Sequence, residues 1–178
     1  MNPLSKRASK RAWRFYSGEG TDHRGRTLQQ ILAWDDAVLE DEHDFIQWLF
    51  PLMEPSGVNP DAPVLSPDEI QQFRASADFQ ARVVGAFRRM LRFYGLQMTE
   101  IGRAIRIEKA PNFSTRRKNW ITPRNHNFLR VTRILKSLSL LGLPLYAAAL
   151  LACLTELFAE DGHIIGPVTF NYWQHAVA

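Results

Sequence analysis

The run "FQARVVGAFRRMLRFYG" at 79–95 leaves the chain the least conformational freedom. Phe79, Val83, Phe87, Met90, Leu91 and Tyr94 recur at helical spacing, and Gly95 stands where a left-handed residue closes such a helix. Arg82, Arg88, Arg89 and Arg92 fall on the other side, as on a solvated face. Alternating strand patterns are nearly absent elsewhere. The expected fold is therefore all-α, a single-domain helical bundle of about six to eight helices with ordered Pro/Gly-rich loops.

Punctuation places the other helices. Thr27 is the expected cap of "LQQILAW", and "DDAVLEDEHD" leads into "FIQWLF", which Pro51 stops. Three prolines and Gly57 make "EPSGVNPDAPV" a loop or turn series. "SPDE" predicts a capping box of Ser66 and Glu69 with Pro67 in the first helical position. Residues 101–122 are less legible: "IGRAIRIEKA" reads as a short hairpin or as irregular chain, and "PNFSTRRKNW" as a basic loop. Thr122-Pro123 is the expected start of a helix that Gly142 ends. An apolar helix from Leu145 to Glu160 follows, stopping near Gly162, and Pro167 opens a last one carrying Phe170, Tyr172 and Trp173. Trp34, Trp48, Phe87, Leu135 and Leu151 are the expected core.

The net charge of +4 conceals segregation. Residues 1–26 carry +5, 27–102 carry −7, 103–136 carry +9 and 137–178 carry −3. Such blocks either neutralise one another or present a basic surface to an anionic partner. Residues 1–14 hold five basic side chains and no acid, and read as a flexible basic arm ahead of a helical domain at 15–178. No secretory h-region follows it. The apolar stretch 138–158 is interrupted by Gly142 and Pro144, which favours a core helix over a membrane span. One cysteine, Cys153, excludes an internal disulfide and suits a reducing, cytoplasmic setting; its apolar neighbours make it a buried thiol and not a nucleophile.

The segment "RNHNFLRVTRILKSL" at 124–138 carries the sharpest functional question. On a helical wheel Phe128, Val131, Leu135 and Leu138 form the main apolar stripe, while His126, Arg130, Arg133 and Ser137 lie opposite. Leu129, Leu140, Ile134 and Leu141 flank the polar strip and keep it narrow. Arg124 and His126 also sit where a helix dipole prefers acids. Two arrangements account for this. In one, Asp41 or Asp44 of the acidic run pairs with Arg130 and Arg133 as an internal clasp. In the other, His126, Arg130, Arg133 and Arg124, with Arg116 and Arg117 from the preceding segment, line an anion-accepting groove fed by free N–H groups of the helix start.

Taken together, "ILAWDDAVLEDEHDFIQWLFPL", "EPSGVN" and "HNFLRVTRILKSLSLLGL", in this order, resemble the conserved region of the opioid growth factor receptor family over residues 15–150. The resemblance implies a receptor-like role: eukaryotic members are associated with binding an enkephalin growth peptide and restraining proliferation at the nucleus and its periphery. It implies no catalytic residues. The chain ends soon after the shared region, without the polar, repeat-bearing tail of the larger receptors.

Motifs for nucleophile elbows, phosphate loops and zinc helices are missing, so no cofactor and no metal site is expected. "GEGTDHRG" reads as a mobile turn and "EDEHD" as a solvated acidic face. A non-enzymatic module binding a peptide or other anionic ligand is the leading expectation. The alternatives are a nucleic-acid-binding domain using the basic arm and block, with Phe113 and Trp120 for stacking, and an enzyme acting on a phosphorylated or other anionic small molecule with His126 as acid/base.

Overall fold

Three helices of this chain start where a side-chain oxygen of Thr27, Asp35 or Ser66 meets orphan backbone N–H groups, and a computed structural model, which describes residues 10–177, shows how the elements assemble. The chain divides into two compact units, 1–86 with 140–142, and 87–139 with 143–178.

The first unit opens with α1 (Arg11–Ser17), which begins inside the segment read as an arm; residues 1–9 lie outside the described residues. Thr27 and Gln30 form a capping box on α2 (Leu28–Ala33), and Asp35 caps α3 (Asp36–Asp41). The acidic run thus breaks into α3 and the single-turn α4 (Ile46–Leu49). The Ser66–Glu69 box and Pro67 start α5 (Pro67–Ala75) as the sequence requires. Aromatic side chains knit these short helices: Phe15 meets Trp48 at 5.4 Å, Tyr16 meets Phe73 at 5.3 Å, and Phe73 meets Phe79 at 4.9 Å between centroids. The Tyr16 hydroxyl donates to the Leu49 carbonyl, and its complete burial holds the phenol well above its ordinary pKa.

Helix α6 (Ala77–Tyr94) carries the chain into the second unit and stops at Gly95, φ +72°. A hairpin follows, β1 (Leu96–Ile101) against β2 (Ala104–Lys109), antiparallel with Ile101 opposite Ala104. The fold is therefore helix-dominated and not purely all-α. Thr99, Ile101, Ile105 and Ile107 suit a pleated surface, and Gly102, φ +61°, begins a two-residue turn whose second residue, Arg103, has negative φ. This is the type II′ turn that strand twist favours.

"PNFSTRRKNW" is corrected from loop to helix, α7 (Phe113–Trp120), anchored by the buried Phe113 and Trp120. Helix α8 (Asn127–Leu140) starts four residues later than Thr122-Pro123 suggested. Helix α9 (Pro144–Ile165) continues past Gly162 through a kink at Asp161, and α10 (Pro167–His175) closes the chain. Ten helices result among the described residues, more than expected, because the acidic run splits and the basic loop coils. Trp48, Phe87 and Leu135 are buried, while Trp34 and Leu151 are only half-buried. Among the described residues no helix is long and apolar enough to cross a membrane.

Candidate functional site

All six side chains suggested for the anion groove belong to the second unit, on α7, on the turn at 121–126 and on α8. Both arginines of α7 have internal partners. Arg116 Nε donates to the Phe93 carbonyl at 2.8 Å, with its guanidinium 5.1 Å over the Phe93 ring. Arg117 Nη2 reaches both oxygens of the buried Asp161 carboxylate at 2.5 and 2.6 Å, at the kink of α9. A charge-assisted contact from one guanidinium nitrogen to both oxygens of a carboxylate at a non-helical residue ties the bend to α7.

The turn between α7 and α8 is an amide relay. Asn125 Nδ2 donates to the Asn119 carbonyl at 3.0 Å and to Thr122 Oγ1 at 2.9 Å, while its Oδ1 accepts from the Asn127 backbone N–H at 2.9 Å and from Asn127 Nδ2 at 3.0 Å. Asn127 is fully buried, and its Oδ1 accepts from Arg130 Nη1 at 3.1 Å, so Arg130 is buried and oriented from its own helix. The Phe128 N–H donates to the Asn125 carbonyl and the Leu129 N–H to that of His126, both at 3.1 Å. The helix start therefore spends its donors on its own turn, and the expectation of free N–H groups there is corrected. Asn is a strong competitor for such donors, and the "RNHN" spacing carried that signal.

His126 and Arg133 are half-buried, and Arg124 is exposed. Arg124 has φ +58°, the one positive φ outside glycine among the described residues. A bulky side chain in that region costs of order 1–2 kcal/mol, and such outliers motivate a functional reading. Lys118 is exposed one turn before it. Phe113 and Trp120 are 6% and 1% exposed, and Trp120 Nε1 donates to the Tyr94 carbonyl at 3.1 Å. Neither ring is available for base stacking, which removes that part of the nucleic-acid expectation.

The first unit holds a second charged cluster that the sequence reading treated as a mobile turn and a solvated face. Arg26 donates through Nε to Asp22 at 2.5 Å, through Nη1 to Glu42 at 3.2 Å and through Nη2 to Asp44 at 2.7 Å, and lies 5.1 Å over the Trp34 ring. Asp22 Oδ1 accepts from the N–H groups of Arg24 and Arg26, which closes the "DHRGR" loop. Trp48 Nε1 donates to His23 Nδ1 at 3.2 Å, so a neutral His23 carries its proton on Nε2, 3.2 Å from Asp44. Burial alone would raise the Asp44 carboxyl, but the Arg26 hydrogen bond and charge, with Arg24 and His23, hold it below its ordinary value. The acidic run thus fastens a basic loop. An Asp two residues before a backbone donor was the available signal, masked by three glycines.

Burial pushes the Cys153 thiol up to about 12, as expected of an inert core cysteine. Among the described residues no group of three or more His, Cys, Asp or Glu is placed to hold a metal ion.

Residues 5–177 match the family described as the opioid growth factor receptor (OGFr) conserved region. The chain belongs to that family. The human opioid growth factor receptor is 44% identical over 135 residues, covering 74% of this chain and 20% of the human protein. The rat receptor is 42% identical over the same length, and opioid growth factor receptor-like protein 1 of Xenopus tropicalis is 38% identical over 121 residues, 66% of this chain and 23% of the frog protein. The chain thus spans about a fifth to a quarter of the length of these relatives. No solved structure matches the chain. The family conserved region extends beyond the 15–150 segment whose strings carried the resemblance, taking in α1 and the C-terminal helices.

Proposed function

We propose that this chain is a non-enzymatic, receptor-like binding domain whose second unit receives an anionic ligand or acidic peptide. The charge distribution carries the reading: residues 87–139 and 143–178 hold thirteen Lys/Arg against five Asp/Glu, a net +8, whereas 1–86 and 140–142 hold nine against thirteen, a net −4. The first unit spends Arg24 and Arg26 on Glu42, Asp44 and Asp22. The second leaves Arg92, Arg103, Lys118, Arg124 and Lys136 exposed. Such an imbalance attracts anions and speeds their association, an effect that salt screens. His126, Arg130, Arg133, Arg116, Arg117 and Arg124 remain the proposed contact region, with Arg124 reaching solvent and the others shaping the surface behind it. The names of the relatives suggest the opioid growth factor peptide as one ligand to try.

Titrating the chain with acidic, neutral and basic peptides of one length, alongside the opioid growth factor peptide, tests the reading. Acidic peptides should bind at low salt and weaken steeply at high salt. Equal affinity for all three charge classes, or none for any, contradicts it.

A further inference from the structure

The hairpin of the second unit presents an unpaired strand edge, and this site, resting on the function proposed above, defines the form of the ligand. In a two-residue hairpin the residues flanking the turn exchange both hydrogen bonds, so Ile101, Thr99 and Gln97 face β2. The Ala110 N–H donates to the Gly95 carbonyl at 2.9 Å, which continues the same alternation. The backbone N–H and C=O groups of Met98 and Glu100 therefore point away from β2. Among the described residues the sheet has two strands, and no other strand pairs with that edge.

Side chains alternate accordingly. Leu96 and Ile107 are buried on the inner face, where Glu100 accepts from the Tyr146 hydroxyl at 3.1 Å and pairs with Arg88 at 3.0 Å. Gln97 donates to Glu108 at 3.0 Å on the outer face, where Thr99, Ile101 and Arg106 are exposed. The two edges differ. Helix α9 packs along β2, and Lys109 at its end pairs with Glu160 of that helix. Strand β1 carries no proline, lysine or bulge, and its one charged side chain, Glu100, is held on the inner face by Arg88 and Tyr146.

We propose that β1 accepts an extended acidic peptide as a third strand, with main-chain bonds to Met98 and Glu100 supplying affinity and the surrounding arginines supplying charge selection. Charge decides the occupant. A second copy pairing edge to edge would bring two units of net +8 together, whereas a peptide with carboxylates on its outer face lies toward Arg103 at the turn and, across β1, toward Arg106, whose 80% exposed side chain pairs with Glu108. Inward side chains of the peptide would lie beside the half-buried Met98, which suits aliphatic residues.

The test uses a fluorescein-labelled heptapeptide of alternating aspartate and valine, and two versions N-methylated either on the valines or on the aspartates. Charge is the same in all three. Strand addition requires one alternate set of N–H groups, so one methylated peptide should bind about tenfold or more weakly while the other binds like the parent. Met98→Pro, which removes an outward N–H and leaves the β1–β2 bonds in place, should weaken the parent peptide similarly, with Met98→Leu as the control for packing. Equal affinity of all three peptides for the wild-type chain overturns strand addition and leaves the charge reading standing. Failure of the parent peptide to bind at all overturns both.

Discussion

At the residue scale, charges here act through what surrounds them. Asp44 is held by Arg26, Arg24 and His23, and its carboxyl titrates below the ordinary value of about 3.9. A depressed carboxylate stabilises the fold fully above that ordinary value and ceases to as pH falls through the depressed one. The Asp44 contribution to stability should accordingly be constant from neutrality to about pH 4 and decline below it. Asp44→Asn should lose about 1–3 kcal/mol at neutral pH and flatten that decline, as followed by denaturant melts across pH. Arg124 is the opposite case, a side chain in a conformation it does not favour. Arg124→Gly should relieve the left-handed strain and raise stability by about 0.5–1 kcal/mol, after the entropy of an added glycine is subtracted. The same change should weaken acidic-peptide binding. A loss of stability on this substitution would mean that Arg124 is held by contacts and not merely tolerated.

Elements with a strong period or a paired cap were legible, and those without were not. Helix α6 announced itself by six apolar residues on one face, and α5 by Ser66, Pro67 and Glu69. Helix α7 has no such face: only Phe113 and Trp120, seven positions apart, are buried, and five polar residues separate them with one threonine. Its helicity comes from tertiary packing, which local pattern does not record. The hairpin was half-visible because the alternation of its first strand, "LQMTEI", stops after Thr99, where Glu100 takes an inner-face position. Around the proposed groove, the "RNHN" spacing signalled asparagines competing for the helix start, but the reach of Asn125 back to the Asn119 carbonyl is a tertiary contact that local spacing does not record. Gly95 joins α6 to the hairpin where an added Cβ would stand 2.7 Å from Arg116 Cβ and 3.0 Å from Phe113 Cα. Gly95→Ala should therefore cost about 2–5 kcal/mol, combining left-handed strain with overpacking. An unchanged melting temperature would show that α7 can retreat without penalty.

For the whole molecule, the two units differ in the sign of their charge. One joins a glycine-rich loop to an acidic run through Arg26 and keeps a net −4, while the other keeps a net +8. Membership of the opioid growth factor receptor family says which proteins share this conserved region, and the function proposed above places its partner on the basic unit. Hydrogen exchange of the full chain, followed by mass spectrometry with and without the alternating aspartate–valine peptide, tests that placement most directly. Binding to the basic unit should slow exchange within 87–139 and 143–177, most strongly at the even-numbered positions of β1, and leave 10–86 unchanged. Protection confined to 10–86 would contradict it.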